Sequence, residues 1–480
     1  APVDPANGIG APGGNGYYVM KEVVTGAAGV KTVEHAQYIE DTWQVTDRFL
    51  LNIGLRNDAF ANYNNSGQKF TSQNHNWSPR LGFSWDVYGD ASLKVYGNAG
   101  RYYLAINNNT AYDGATGYAW NRTYYTYTGI DANGMPTGLT PFGYYDVNGH
   151  TGQAPDPRTV ASKNLGAEYQ DEFILGATKA ITPEWITGVK GTFRVLRQIS
   201  DDVCDSSNLL IAKTKAMYNL TDDQITANRG ACYIFNPGKT NNFDVLTTQG
   251  YLRVPMSNGD WGFAQGPKRK YYALEMFLEH PLGKDDWGGR LSYVYSRSYG
   301  NSEGLLQVSR GNDSVGVTQD WDNAYVMDRA NGVLGNNRTH QVKAYGTYRI
   351  SPEWMVSGVA NLASGGPHNC LGFYGTDQSQ PDGYGSYYHW CNGKPSVPGS
   401  MGDLPWTYRI DLNVTYRPAF ADHKLAFNLS VFNVLNQQRP LVLYTRYNNT
   451  ATPDKLNDLY DTVKVMESPR YVRFGVSYDF

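Results

Sequence analysis

The chain has 480 residues and a formal net charge of -3, so it carries no polyanion-binding field and nucleic acid is not an expected partner. Charged residues are only 18%, against about 25% in ordinary soluble domains, yet mean hydropathy is -0.51, with Gly (52) and Tyr (38) filling the gap. No apolar run reaches the roughly 18 residues of a membrane-spanning helix, and Ala1-Pro2-Val3-Asp4 lacks the basic and apolar regions of a signal peptide. A transmembrane β-barrel fits all of this, because its strands need only about ten residues of alternating hydrophobicity.

In chain order, residues 1–33 are expected to be the end of an external loop or of a preceding strand, with strand character near Tyr17-Tyr18-Val19-Met20. Alternation then predicts strands at 34–45 and 48–59, the second with Phe49, Leu51, Ile53 and Leu55 opposed to Asn52, Gly54, Arg56 and Asp58. Further pairs follow at 77–88 and 91–103, 168–180 and 185–199, 269–280 and 288–300, 339–350 and 353–364, and 406–417 and 424–436. A final strand is expected at 468–480, where Val472, Phe474, Val476, Tyr478 and Phe480 share one face. Within pairs the links are turns, such as Thr46-Asp47, Gly89-Asp90 and Ser351-Pro352. Between pairs they are long, at 104–167, 200–268 and 365–405. Short turns at one end and long loops at the other are the build of an outer-membrane barrel, and loops of this length are unusual in compact soluble domains. The expected fold is therefore an all-β transmembrane antiparallel barrel over 34–480. Thirteen strands is an odd number, whereas bacterial single-chain barrels are even, so further strands are expected upstream.

Several segments carry a family resemblance. Gln37-Tyr38-Ile39-Glu40-Asp41-Thr42-Trp43-Gln44-Val45-Thr46 leading into Leu51-Asn52-Ile53-Gly54-Leu55-Arg56, then Ser78-Pro79-Arg80-Leu81-Gly82-Phe83-Ser84-Trp85-Asp86, Arg338-Thr339-His340-Gln341, Lys424 to Asn436 and the terminal Phe480 resemble the Oar-like branch of TonB-dependent outer-membrane transporters. The resemblance implies a 22-stranded barrel with an N-terminal plug, powered by a TonB-type inner-membrane complex, in the outer membrane of a Gram-negative bacterium. The plug and the TonB-contacting segment are not recognisable here, so the chain is expected to be the C-terminal part of a longer protein. Substrate would be captured by the external loops and moved through the lumen. A structural or surface-interaction barrel, or a passive porin, is the alternative.

The resemblance also marks Phe480, Tyr478 and Val476 as similar to the signal read by the barrel-assembly machinery, an extended strand adding to a sheet edge; interface anchoring is the plainer role. Lumen-facing charge is expected at Arg56, Asp58, Lys94, Lys190, Arg194, Glu275, Glu279, Lys343, Arg349, Arg409, Asp411, Arg417 and Arg473, either lining the route and meeting the plug or forming a wall network. Cys204, Cys232, Cys370 and Cys391 allow three pairings; the loop-local pairs Cys204–Cys232 and Cys370–Cys391 need no crossing, with metal ligation and free thiols as alternatives. In the 104–167 loop, Tyr118, Trp120, Tyr124 and Tyr125 suit ligand capture, or an aromatic belt and loop packing. Repeated D-x-N-G at 131–134 and 146–149 offers calcium oxygen ligands, but Phe142 and Pro157 stand where an EF-hand needs Glu, and Asn-Gly is itself a turn signal. Thr221-Asp222-Asp223-Gln224 predicts a capped short helix. Lys268-Arg269-Lys270 could meet outer-membrane lipid, through lipopolysaccharide phosphates, or be a solvated cluster. The eight histidines are scattered and no hydrolase or metalloprotease motif occurs, so no enzyme and no cofactor are expected.

Overall fold

A computed structural model describes residues 18–26, 29–226, 232–283, 285–304, 307, 318–449 and 455–480. One long antiparallel sheet forms the wall. Its thirteen sequential strands are β1 (Lys31–Thr46), β2 (Phe49–Tyr63), β3 (Lys69–Asp86), β4 (Leu93–Leu104), β5 (Glu168–Ala180), β6 (Ile186–Gln198), β7 (Arg269–His280), β8 (Trp287–Gly300), β9 (His340–Arg349), β10 (Trp354–Ala363), β11 (Thr407–Tyr416), β12 (Leu425–Phe432) and β13 (Tyr471–Tyr478). Each pairs with its neighbours in sequence, and a two-residue strand Gly332–Val333 adds to β8. All thirteen expected strands are present. No helix among the described residues is long and apolar enough to cross a membrane.

Side-chain hydrogen bonds build the short turns. In the β3–β4 turn the Asp86 carboxylate accepts the N–H of Gly89 and Ala91, both at 2.9 Å, and Gly89 takes the left-handed φ of 80° that a side chain resists. Thr182 Oγ accepts from Glu184 and Trp185 between β5 and β6, and Ser351 Oγ from Glu353 and Trp354 between β9 and β10. These are the local side-chain turns that Ser, Thr and Asp favour over regular structure.

The β2–β3 hairpin overshoots the expected bounds of 48–59 and 77–88. Its tip, residues 60–76, stays paired above the wall and turns at 64–68. Polar residues hold it: Thr71 Oγ donates to Asn62 Oδ1 at 3.0 Å, and Asn62 Nδ2 donates to Thr32 Oγ on β1 at 2.9 Å. Phe60 and Phe70 are the only apolar side chains it buries, so this segment gives little period-two signal.

The packed interior lies outside the wall. Leu196, Ile199, Val203, Leu210, Tyr233, Phe235, Phe243, Val245, Val254, Met256, Trp261, Phe263 and Trp321 form one buried cluster, nearly all from the 199–268 loop and its neighbours. Wall residues such as Leu81, Phe173, Leu175, Leu274, Leu291, Leu412 and Phe474 instead remain exposed on a single face. A soluble sandwich buries that face against a second sheet; here its only available cover is lipid.

The 200–268 loop holds helix α2 (Leu209–Tyr218) and a 3-10 turn at Asp222–Gln224, where the capping box forms with Thr221 N–H donating to Gln224 Oε1 at 2.9 Å. The 104–167 loop begins with helix α1 (Asn108–Ala115). It then folds into a separate three-stranded sheet in which Ala119–Thr126 lies between Val19–Thr25 and Thr140–Thr151. The expected strand near Tyr17–Met20 thus exists from Val19 onward, but it belongs to a loop sheet rather than to the wall; Tyr17 lies outside the described residues.

Candidate functional site: the charged wall and its loop cap

Alternation assigns each expected charge to the face opposite the apolar one. Leu274, Met276 and Leu278 face lipid, so Glu275 and Glu279 face inward, and the register sets Glu275 beside Lys190. There Lys190 Nζ reaches Glu275 at 2.8 Å, and Arg290 of β8 reaches Glu275 at 3.6 Å and Glu279 at 3.1 Å. Arg290 also lies over the Phe277 ring, with its guanidinium carbon 3.7 Å from the centroid. Sequence reading missed Arg290, although its place one residue before the lipid-facing Leu291 gives it the inward phase.

A second group lies on β11 to β13. Arg409 Nε pairs with Asp411 at 2.8 Å, and the guanidinium groups of Arg409 and Arg473 flank the Phe432 ring at 5.9 and 5.3 Å. Asn413 Nδ2 donates to Ser430 Oγ at 2.8 Å, and Thr415 Oγ to Asn428 Oδ1 at 2.8 Å. Below them Arg417 pairs with Asp479 at 2.9 Å. Elsewhere Arg56 pairs with Asp58 at 2.8 Å, Arg194 pairs with Glu172, and Lys94 lies over Tyr96 at 5.6 Å. Lys343 and Arg349 sit on the inward phase of β9. The inner surface is thus a ladder of alternating charges, most already engaged with one another, lining a polar wall.

The loop cap lies over the long-loop end. Two disulfides staple it, Cys204–Cys232 and Cys370–Cys391, the loop-local pairs. The first joins directly opposed residues of a two-stranded ribbon, with Cα atoms 4.0 Å apart. Beside it Asp201, Asp202, Asp320 and Asp322 converge. Burial, together with the three neighbouring carboxylates, pushes Asp201 well above the usual carboxylate range, and Thr318 Oγ donates to it at 3.1 Å. The Tyr384 hydroxyl donates to Asp322 at 2.7 Å, and burial followed by that carboxylate raises the phenol's pKa.

Of the four aromatic loop candidates, Tyr118 and Tyr124 are buried and Trp120 and Tyr125 half-buried. Tyr118 stacks between Tyr112 at 4.9 Å and His150 at 4.1 Å, with its hydroxyl 2.9 Å from His150 Nε2. Burial lowers the His150 pKa to about 4, so the ring is neutral at physiological pH. Tyr124 packs edge-on against Tyr18 at 5.5 Å. The Asp131 carboxylate accepts the N–H of Asn133 and Met135 within its turn, at 2.9 and 2.8 Å. Asp146 accepts the Tyr144 hydroxyl at 2.7 Å, while the side chain of Asn148 lies outside the described residues.

A continuous antiparallel wall with a lipid-facing apolar side, a charged inner side, short turns at one end and long folded loops at the other defines an outer-membrane β-barrel. Residues 2–181 match the family model "TonB dependent receptor-like, beta-barrel". The chain is 23% identical to the TonB-dependent transporter Oar of Myxococcus xanthus, over 92% of its own length and 42% of Oar. Among solved structures, the outer membrane transporter YddB of Escherichia coli shares the fold, with a TM-score of 0.51 at 12% identity, covering 94% of this chain and 54% of that one. The chain therefore spans about half the length of the relatives it matches. Its sequence is similar to the barrel of TonB-dependent receptors, and the chain is placed in the outer membrane of a Gram-negative bacterium.

Proposed function

We propose that this barrel takes up a substrate bound first at the loop cap and passed along the charged inner wall, driven by a TonB-type complex of the inner membrane through a plug carried by the same full-length protein. The observation that supports this most is the inner wall itself. The Lys190–Glu275–Arg290–Glu279 ladder places both signs of charge within a few ångströms. Such a surface suits a polar plug that must seat, be held and be released. The cap supports the capture step, because two disulfides and an aromatic core give it a fixed outer surface on which a ligand is recognised with little ordering cost.

The test uses the native protein purified from outer membranes. It should be retained on an immobilised periplasmic domain of TonB and should show no steady conductance in planar bilayers. A large, permanently open conductance without TonB retention would favour the passive pore.

A further inference from the structure

The inner faces of β11, β12 and β13 are built differently from the charged ladder of β6 to β8. Val472, Phe474 and Val476 face lipid, so Arg473, Gly475 and Ser477 face inward. The register sets Ser357, Asn413, Ser430 and Arg473 in one row across β10 to β13, with Met355, Thr415, Asn428 and Gly475 in the row beneath it. These rows enclose a recess of about 370 Å³ whose polar lining is Asn413, Asn428, Ser430, Arg473 and Ser477. A Cβ at Gly475 would meet nothing within 4 Å, so the recess stays open there toward the lumen.

The hydrogen bonds in the recess run one way. Thr415 Oγ donates to the side-chain oxygens of Asn428 at 2.8 Å and Asn413 at 3.0 Å, and Asn413 Nδ2 donates to Ser430 Oγ at 2.8 Å. Thr415 and Ser430 are buried, which fixes the network in the wall. The amide oxygens are thereby engaged, while the Asn428 amide N–H groups and the Ser430 and Ser477 hydroxyl protons are left to donate into the recess.

No carboxylate lines the recess. Asp411, two residues before Asn413 on the same inner face, is taken by Arg409 at 2.8 Å and by the Asn433 N–H at 2.7 Å. Arg417 is likewise spent on Asp479 at 2.9 Å. Arg473 forms no ion pair among the described residues. The Phe432 ring, 5.3 Å from its guanidinium carbon, holds it along the wall. One cation, one amide and two hydroxyls thus converge, donors outward, on a single polar hollow.

We infer that this recess is a subsite for the carboxylate of a small solute on the transport route, with Arg473 as its counter-ion and Asn428 and Ser430 as neutral donors. The inference rests on the reading of the inner face as that route and adds the class of cargo, a carboxylate-bearing anion. A planar guanidinium matches a carboxylate through two parallel N–H donors, and a hollow of this size suits a small molecule. A polar plug has a better seat on the ladder, where both signs of charge already stand together. That seat ends on β8, three strand spacings from β11, about 14 Å at about 4.8 Å each. A lone cation helped by neutral donors holds an anion and releases it, which passage requires.

Arginine modification by phenylglyoxal, followed peptide by peptide by mass spectrometry on the full-length protein in mild detergent, tests this with succinate as the probe. Arg473 should react in buffer alone. Millimolar succinate should slow its modification at least tenfold, and uncharged succinamide should not. Arg80, an inward cation of β3 that also lacks a carboxylate partner among the described residues, should react alike in all three conditions. Gly475→Leu, which fills the recess, should abolish the protection. Asn428→Asp, which places a carboxylate there, should slow Arg473 with no anion added. Both variants should keep the heat-modifiable gel shift of a folded barrel. Succinate that leaves wild-type Arg473 unprotected, slows Arg80 equally, or still protects in Gly475→Leu would overturn the assignment. So would an Arg473 unreactive in buffer alone, since protein would then cover it. The readout is binding, decided neither by TonB retention nor by conductance, so the subsite can fail while the reading of the route stands.

Discussion

His150 sits flat against Tyr118 because the loop sheet has closed over both, and the same burial that packs the ring keeps its proton off. The unfolded imidazole titrates near 6.5 and the folded one near 4, so between those values the unfolded state binds more protons. Stability rises with pH wherever that is so; it is therefore complete above about 6.5 and lost as pH falls toward 4. Protection factors of residues 119–126, measured relative to the intrinsic exchange rate at each pH, should fall as pH drops through that window while those of the wall strands hold, and His150→Gln should flatten the dependence. A pH-independent protection factor in the wild type would count against a neutral, buried His150. Asp201 has the opposite sign. Its folded pKa is raised above 3.8, so the folded state binds the extra proton and stability falls as pH rises through that elevated pKa. Asp201→Asn keeps an acceptor for Thr318 and removes the charge. It should raise the melting temperature of the cap at pH 8, read by near-ultraviolet circular dichroism, and change it little at pH 4.

At the scale of elements, the wall was legible because each strand has one lipid face and one polar face, and a period of two survives without tertiary knowledge. The hairpin tip at 60–76 was not, since Asn62, Thr71 and Asn76 are buried by polar contacts that alternation does not register. The loops were legible only as lengths. Tyr118 and Tyr124 could be read either as ligand-capturing or as loop-packing aromatics, because nothing local reports that Tyr18, Phe142 and His150 fold onto them. The cysteines were better guides, since pairing within a loop needs no long-range information. The Cys204–Cys232 bridge spans 28 residues, and in the chain-entropy model a loop of that size is stabilised by about 3–4 kcal/mol. Replacing both cysteines by serine should therefore expose the 199–268 loop to limited proteolysis. The wall, whose stability comes from strand pairing, should keep its heat-modifiable gel shift. Simultaneous loss of both would mean that cap and wall unfold as one unit.

For the whole molecule, the decisive constraint is the solvent on each side. Water cannot reach backbone groups within hydrocarbon, so every wall N–H and C=O there needs a partner inside the sheet. The inner strands satisfy this through two neighbours each, whereas β1 and β13 each pair on one side only among the described residues. Their outward side chains, Ile39 and Trp43 on β1 and Val472, Phe474 and Val476 on β13, are as apolar as those of the central strands. Both edges thus carry the pattern of strands immersed in lipid, and neither is blunted by the prolines or lipid-facing charges that protect a true free edge, apart from Asp41. In the native outer membrane these edges must be paired. Deuterium exchange of the protein in lipid nanodiscs reads this directly: amides of 37–44 and 472–477 should exchange as slowly as those of β6 and β7. Exchange at least a hundredfold faster confined to the two edge strands would mean that the sheet stays open in the membrane, and the lumen with its charged ladder would then not be a closed path.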